Sequence, residues 1–501
     1  MSSLPVPDGD SAELAQFGYA QALERRTGRF ASFAVAFAFV SIATGIFTTY
    51  GSVLNSSGPV GIWTWPIAVI GQLAVAFVLG ALASRIPVTG YAYQWMSRLA
   101  NPVLGWIIGW ISFTFLAIVV VAVDYTIAST VLPVLLNYEG STGITWLVTA
   151  LVLVAQAVLV GTSTRWSERV NNTAVSAELV GMVALTVLLL VVAAVRGDMD
   201  TGNLWSKGAV PAEGFWSFGD WNSAGPWMLG FLLGAFTIVG FESAANLAEE
   251  TNDPERVVPR AMWLAVAASG ALGFLFLVAV TLAAGDPVRL AESGTPIADV
   301  IEATLGSVLS TLLLLIVVIA IFACGLVITM TGVRLIWAMS RDERFPGWQQ
   351  WNQVSPRFHT PLKATVLYVV LAELILAVFS RSQDVLLTLF GAATLLPAVI
   401  YAATVALYLV KRKQLPVNGK FELGAWETPV LVVAVVWLVF ELALFRDAAF
   451  KDAWLYVLVM VVIGAAYLGL LLARRGRGAL AMPDMRSIDA ELDRAAGTGQ
   501  A

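Results

Sequence analysis

The sequence has little charge. Its 501 residues include 29 Lys and Arg and 34 Asp and Glu, 13% in all, about half the share of an average soluble domain. A water-soluble globule is excluded. There is one cysteine, Cys324, and one histidine, His359. The first scarcity rules out an intramolecular disulfide and a cysteine metal cluster, the second a paired-histidine haem or metal centre, so no metal or other cofactor is expected. The net charge of −5 is small for the length and gives no nucleic-acid surface. No Walker-type phosphate loop occurs, so ATP drive would have to come from another subunit. The first 29 residues are polar with scattered acids and lack the apolar core of a secretory signal, and they read as a retained soluble tail.

What is abundant is apolar sequence, 58% of the chain. At about 20 residues per spanning helix this sets a ceiling near 14 spans, fewer once loops take their share. Apolar runs bounded by charge or turn residues fall near 30–53, 62–85, 102–133, 144–163, 171–195, 224–248, 260–284, 305–338, 362–380, 384–409, 428–445 and 453–473. The ninth and tenth are interrupted by Arg381, Gln383 and Asp384 and count as two helices, with one bent hairpin as the other reading. With both termini cytoplasmic, 23 of the 29 basic residues fall on the inner side, as the enrichment of Lys and Arg in cytoplasmic connections requires. The connection 196–223 carries Trp205, Phe215, Trp216, Phe218 and Trp221, which suit an interfacial loop or a substrate lid.

Two spans contain residues that a plain membrane helix avoids. The first reads Phe39-Val40-Ser41-Ile42-Ala43-Thr44-Gly45, and the sixth reads Phe236-Thr237-Ile238-Val239-Gly240-Phe241-Glu242 at the same relative depth. Glycine with hydroxyls serves either tight helix packing or a break in the helix. Unwound backbone is tolerated in a membrane only where it is buried in protein or lines a cavity, and paired breaks mark a transporter binding site. Gly45 and Gly240 lie 195 residues and five crossings apart, so the sixth span runs opposite to the first. The expected fold is therefore an all-α integral membrane protein with twelve transmembrane helices. It comprises a five-plus-five inverted repeat with discontinuous first and sixth helices, plus two extra helices. The division is a tail at 1–29, a transport core at 30–410, a cytoplasmic loop with the last two helices at 411–474, and a second tail at 475–501.

At each break, half-helix amides and carbonyls point into one cavity, a combination suited to a zwitterion. A substrate carboxylate is expected on the amides around Ala43, Thr44 and Gly45, and an ammonium group on carbonyls near Val40, Phe236 and Thr237. The stretches "VSIATGIFTTYGSVLNSSGP", "ASRIPVTGYAYQWMSRLANPVLGWIIGW", "FTIVGFESAANLAEETNDPERVVPRAM" and "GVRLIWAMSRDERFP" resemble the amino acid–polyamine–organocation superfamily of permeases, specifically its amino acid/choline transporter branch. The resemblance implies a broken-helix inverted-repeat fold and uptake or exchange of amino acids and related amines, frequently with proton coupling. It places Ser41 to Gly45 and Phe236 to Gly240 on the substrate-binding breaks, with Phe236 at an often aromatic gating position.

Ionisable groups within spans are functional candidates. Glu242 matches a position that the resemblance links to proton-coupled transport, or it caps the new half-helix. Glu178 stands where some relatives carry a lysine. It either titrates or holds a cation with Thr329 and Thr331, or it contacts Arg165 or Arg169. Asp124 faces the cavity and pairs with a cationic substrate head, or it ties two helices together. Glu373 and Glu441 read as packing or oligomer contacts. The run "EETNDPERVVPR" organises the end of the sixth span or gates it, Cys324 reads as a small core residue, and His359 reads as a solvated loop residue.

The acids are dispersed and the lone His lies outside the spans, so no catalytic residues are assigned. The reading is a secondary active permease in the plasma membrane, moving an amino acid or related amine such as 4-aminobutyrate, choline or a polyamine by alternating access. Its coupling ion would be a proton or sodium, and its other partner membrane lipid. An exchanger, a channel and a non-transporting sensor are the competing readings.

Overall fold

The computed structural model describes residues 14–480 except 16, 24, 137–140, 380–382 and 416–419. The outer parts of both expected tails, 1–13 and 481–501, and the interruption at Arg381 therefore lie outside the described residues. Among those described, every regular element is helical apart from two isolated bridges. The helices that position the site are α1 (Arg29–Val40), α2 (Ile42–Ser57), α3 (Thr64–Arg85), α4 (Tyr91–Leu99), α5 (Pro102–Thr126), α6 (Thr142–Thr162), α7 (Thr164–Arg196), α8 (Leu232–Thr237), α9 (Ser243–Asn246), α10 (Pro254–Leu282), α11 (Ser307–Arg341), α12 (Leu362–Phe379), α13 (Gln383–Lys411), α14 (Glu427–Leu444) and α15 (Lys451–Arg475).

Among the described residues, ten segments are long and apolar enough to cross a membrane. Their boundaries are written locally. Asn101 and Ser141 cap α5 and α6 by accepting from Leu104 N and Ile144 N, Pro102 and Pro254 open α5 and α10, and Gly197 ends α7 in the left-handed region at φ 76°. The α5 segment is the axis of the bundle, almost wholly buried along its apolar stretch, whereas most of α15 is exposed. Val432, Val436 and Val439 on α14 and Leu455, Leu458 and Val462 on α15 form exposed stripes at helical spacing. Such stripes suit hydrocarbon and not water.

Two apolar segments are interrupted. Ser41, at φ 33° and ψ 95°, separates α1 from α2. Five residues, 238–242, separate α8 from the single turn of α9, with Gly240 at φ 82°. The sixth span is thus more irregular than its composition suggests, continuing beyond α9 as a 3₁₀ turn at Ala248–Glu250.

The described residues from both ends of the chain meet one face of the bundle, here termed the terminal face. Tyr19 donates to Asp342 at 2.8 Å and Arg475 pairs with Glu343 at 3.1 Å. Within the segment expected as a soluble tail, described residues from Leu14 onward pack against the bundle. Leu14, Tyr19 and Leu23 are buried because they fill apolar gaps, Leu23 against Trp337 and Ala338. Thr27 pairs its backbone with the 250–252 strand of chain through Glu250 O and Asn252 N.

Candidate functional site between two helix breaks

The two breaks touch. A Cβ on Gly45 would overlap the Thr237 side chain, and one on Gly240 would overlap the Phe39 ring, so each glycine is where the opposite break needs space. Gly240 also has the positive φ that a Cβ resists. The polar groups freed by the breaks are satisfied by other helices, as hydrocarbon demands. Ser41 Oγ accepts from Thr44 N at 3.3 Å and from Thr44 Oγ1 at 2.7 Å. Phe39 O accepts from Cys324 Sγ at 3.3 Å, and Val35 O accepts from Ser243 Oγ at 3.3 Å.

Between the breaks lies a cavity of about 20 Å³, room for little more than one water. Val40, Thr44, Gly45, Phe236, Thr237 and Val239, all singled out from the sequence, line it. Ser41, Ile42, Ala43, Ile238 and Gly240 do not line it, although all belong to the same breaks. Phe39, Val119, Val123, Cys324, Ile328 and Ala393 complete the wall. The first is next to a residue that was flagged, but the others carry no polar signal and come from α5, α11 and α13, so only their tertiary placement reveals them.

Glu178 is fully buried, and its Oε1 accepts from Ser41 Oγ at 3.2 Å and from Ala43 N at 3.3 Å. A carboxylate from α7 therefore caps the first amides of α2. It is bonded neither to the α11 hydroxyls nor to the α7 arginines: Thr329 Oγ1 donates to Gln156 Oε1 at 3.4 Å, Thr331 Oγ1 to Val327 O at 2.8 Å, and Arg169 stacks over Trp166. Glu242 does not cap α9 with its side chain. Tyr401 of α13 donates to Glu242 Oε2 at 2.5 Å while accepting from Gly240 N at 2.9 Å, so one phenol ties the sixth-span acid to its own break. Tyr401 is the functional candidate that sequence reading missed. Asp124 is not among the cavity residues. It accepts from Gln156 Nε2 at 2.8 Å and so ties α5 to α6. Glu441 is a packing contact, fully buried beside Gln72 of α3.

Phe236 separates this cavity from a vestibule of about 290 Å³ that also touches Thr49, Ser52, Leu233, Thr394 and Phe450 on the face opposite the termini. The terminal face is closed. Arg334 holds Glu250 at 2.9 and 3.3 Å, Arg341 holds Glu249 at 2.9 and 3.0 Å, and both acids sit at the end of the broken sixth segment. Asp342 accepts from Tyr19, Tyr93 and Gln94 in the same layer. Burial, followed by the charge of Asp342, pushes the Tyr19 phenol above its ordinary range, so it remains a hydrogen-bond donor.

A family model described as Amino acid permease matches residues 28–466, which includes both breaks and every helix from α1 to most of α15. The chain belongs to this family. Among its relatives, the amino-acid permease BAT1 of Arabidopsis thaliana is 26% identical over 87% of this chain and 88% of that protein. The GABA-specific permease of Saccharomyces cerevisiae is 24% identical over 84% and 75% respectively, and a putative polyamine transporter of Candida albicans is 22% identical over 93% and 86%. The permease is thus a multi-pass membrane transporter of an amino acid or amine and not an enzyme.

Proposed function

We propose that this permease is a secondary active transporter that moves an amino acid or related amine, in the class of 4-aminobutyrate, choline or a polyamine, by alternating access. The observation that carries the reading is the pair of helix breaks in contact, Gly45 against Thr237 and Gly240 against Phe39, with a small cavity between them. A substrate carboxylate, where the substrate has one, replaces Glu178 and Ser41 on the Ala43 and Thr44 amides that they hold here, and the ammonium group rests on carbonyls of the two breaks. A 20 Å³ cavity does not admit such a molecule, so binding accompanies a displacement of Phe236 from the vestibule side. The names of the yeast and Candida relatives support the amine end of the substrate class.

The reading includes twelve crossings, namely the ten apolar helices, the broken sixth segment and α12, with a five-plus-five core over 30–410 and two added helices. It places the protein in the plasma membrane with the terminal face cytoplasmic, consistent with the basic residues gathered there. Coupling to protons runs through Glu242 or Glu178. Each acid hydrogen-bonds to the backbone of a break, Glu178 directly and Glu242 through Tyr401, so a change of protonation alters how that break is held. The test is uptake into proteoliposomes under an imposed pH gradient, with 4-aminobutyrate, choline and putrescine as first substrates. Wild type is expected to accumulate substrate with the gradient and to slow several-fold without it, and Glu242→Gln or Glu178→Gln is expected to become indifferent to the gradient. Equal wild-type rates with and without the gradient overturn the coupling.

A further inference from the structure

A cavity of about 550 Å³, far larger than the one between the breaks, lies elsewhere. It opens on the terminal face between the N-terminal segment, the sharp corner joining α6 to α7 and the loop leading into α12. Its volume lies within the range of small-molecule sites, about 300–1,000 Å³. Three guanidinium groups from three separate elements line it, Arg26, Arg165 and Arg357, with His359 beside the last. Glu250 is the acid in its wall, and that carboxylate is already held by both arms of Arg334. Glu168 adds a second negative charge within electrostatic reach of Arg26. Among the described residues Arg165 has no acidic partner and Arg357 stacks over the Phe358 ring, so both cations are available at the cavity.

The α6–α7 corner contributes backbone donors as well. Ser163 caps α7 through Trp166 N, which leaves the first two amides of this 33-residue helix, those of Thr164 and Arg165, without an intrahelical partner. The same corner fixes the depth. Trp166, 59% exposed and next to Arg165, points out of the bundle with Arg169 stacked on it, the placement of an aromatic anchor at the membrane–water boundary. The cavity therefore sits at the level of lipid headgroups.

We propose that this cavity is a binding site for a phosphate-bearing anion, held by Arg165, Arg357 and Arg26 together with the amides that open α7. Guanidinium forks and helix amides are the groups that recognise phosphate oxygens. The chemistry is shared by the headgroup of an anionic lipid and by a free phosphate, and the position of Trp166 favours the lipid. Because Arg26 belongs to the segment packed beneath the bundle, an anion there ties that segment to α7 and to the loop before α12.

The experiment follows the unfolding temperature of the full-length protein in neutral detergent. The additions are short-chain phosphatidylglycerol, phosphatidylcholine of the same chain length, or pyrophosphate at constant ionic strength. A ligand that binds only the folded state raises stability, so wild type is expected to gain about 3 °C or more with phosphatidylglycerol over phosphatidylcholine. Arg165→Gln/Arg357→Gln is expected to lose at least half of that gain, and Arg289→Gln, on the opposite face, to keep it. Both substituted arginines are exposed, and the ligand-free unfolding temperature of the variants reports that they fold. If the double variant is not recovered, each single substitution is expected to reduce the gain. A response to pyrophosphate equal to that for lipid assigns the site to free phosphate, and a response to lipid alone assigns it to a headgroup. Equal gains in wild type and the variants, or no gain in wild type, overturn the proposal.

Discussion

Ser41 holds a positive φ in the middle of an apolar segment, and three side-chain groups make that tolerable: its own hydroxyl, which accepts from Thr44, the Glu178 carboxylate, which accepts from Ser41 and Ala43, and the Cys324 thiol, which donates to Phe39 O. Strained backbone persists only where its surroundings over-determine it, and such residues gather at functional sites. Gly45 and Gly240 are the complementary case, since their lack of a side chain lets the two breaks approach. Gly45→Ala is expected to cost about 1–3 kcal/mol through overpacking against Thr237. Gly240→Ala adds left-handed strain to its clash with Phe39 and is expected to cost at least as much. Thermal or denaturant unfolding in detergent measures both, and unchanged stability in either variant would show that the breaks are not in contact.

At the scale of elements, the end of the sixth segment is fastened to α11 by two acid–arginine pairs, and the outer part of that fastening is covered by the N-terminal segment. The side chains of Arg334 and Glu250 are 2% and 4% exposed. Removing one member of a buried pair strands a charge and costs about 3–5 kcal/mol, whereas replacing both by apolar groups of similar volume is close to neutral. Arg334→Met is therefore expected to lower the unfolding temperature sharply, and Arg334→Met/Glu250→Leu to recover most of the loss. A double variant no more stable than the single would argue that Glu250 has another cation.

For the whole molecule, the arrangement is asymmetric. A vestibule reaches Phe236 from one face, while ion pairs and the packed N-terminal segment close the other. Because Cys324 is the only cysteine, a Cys324→Ser background reports single introduced thiols cleanly. In that background Ser52→Cys, in the vestibule, is expected to react with a membrane-impermeant maleimide added from the side opposite the termini. Ala338→Cys, fully buried beneath the N-terminal segment, is expected to react at least tenfold more slowly from either side. Comparable rates at both positions would contradict a closed terminal face.

The helical, membrane-spanning class of this protein was legible in the sequence because hydrocarbon allows few alternatives: length, apolarity and capping residues set where each span begins and ends. Composition also pointed to both breaks, since glycine and hydroxyls at mid-depth have few uses, and to Glu242 and Glu178 as buried acids. What only the tertiary structure decided is which atoms those groups reach. Glu178 meets the first break rather than Thr329 and Thr331, because α7 lies alongside α1. Asp124 is spent on Gln156, and Tyr401 enters the site from a helix whose sequence gives no sign of it. The N-terminal segment reads as solvated from its polarity, yet packs through Leu14, Tyr19 and Leu23. Local pattern fixes periodicity and depth, but contacts between helices hundreds of residues apart depend on packing of the whole bundle, which no local pattern encodes.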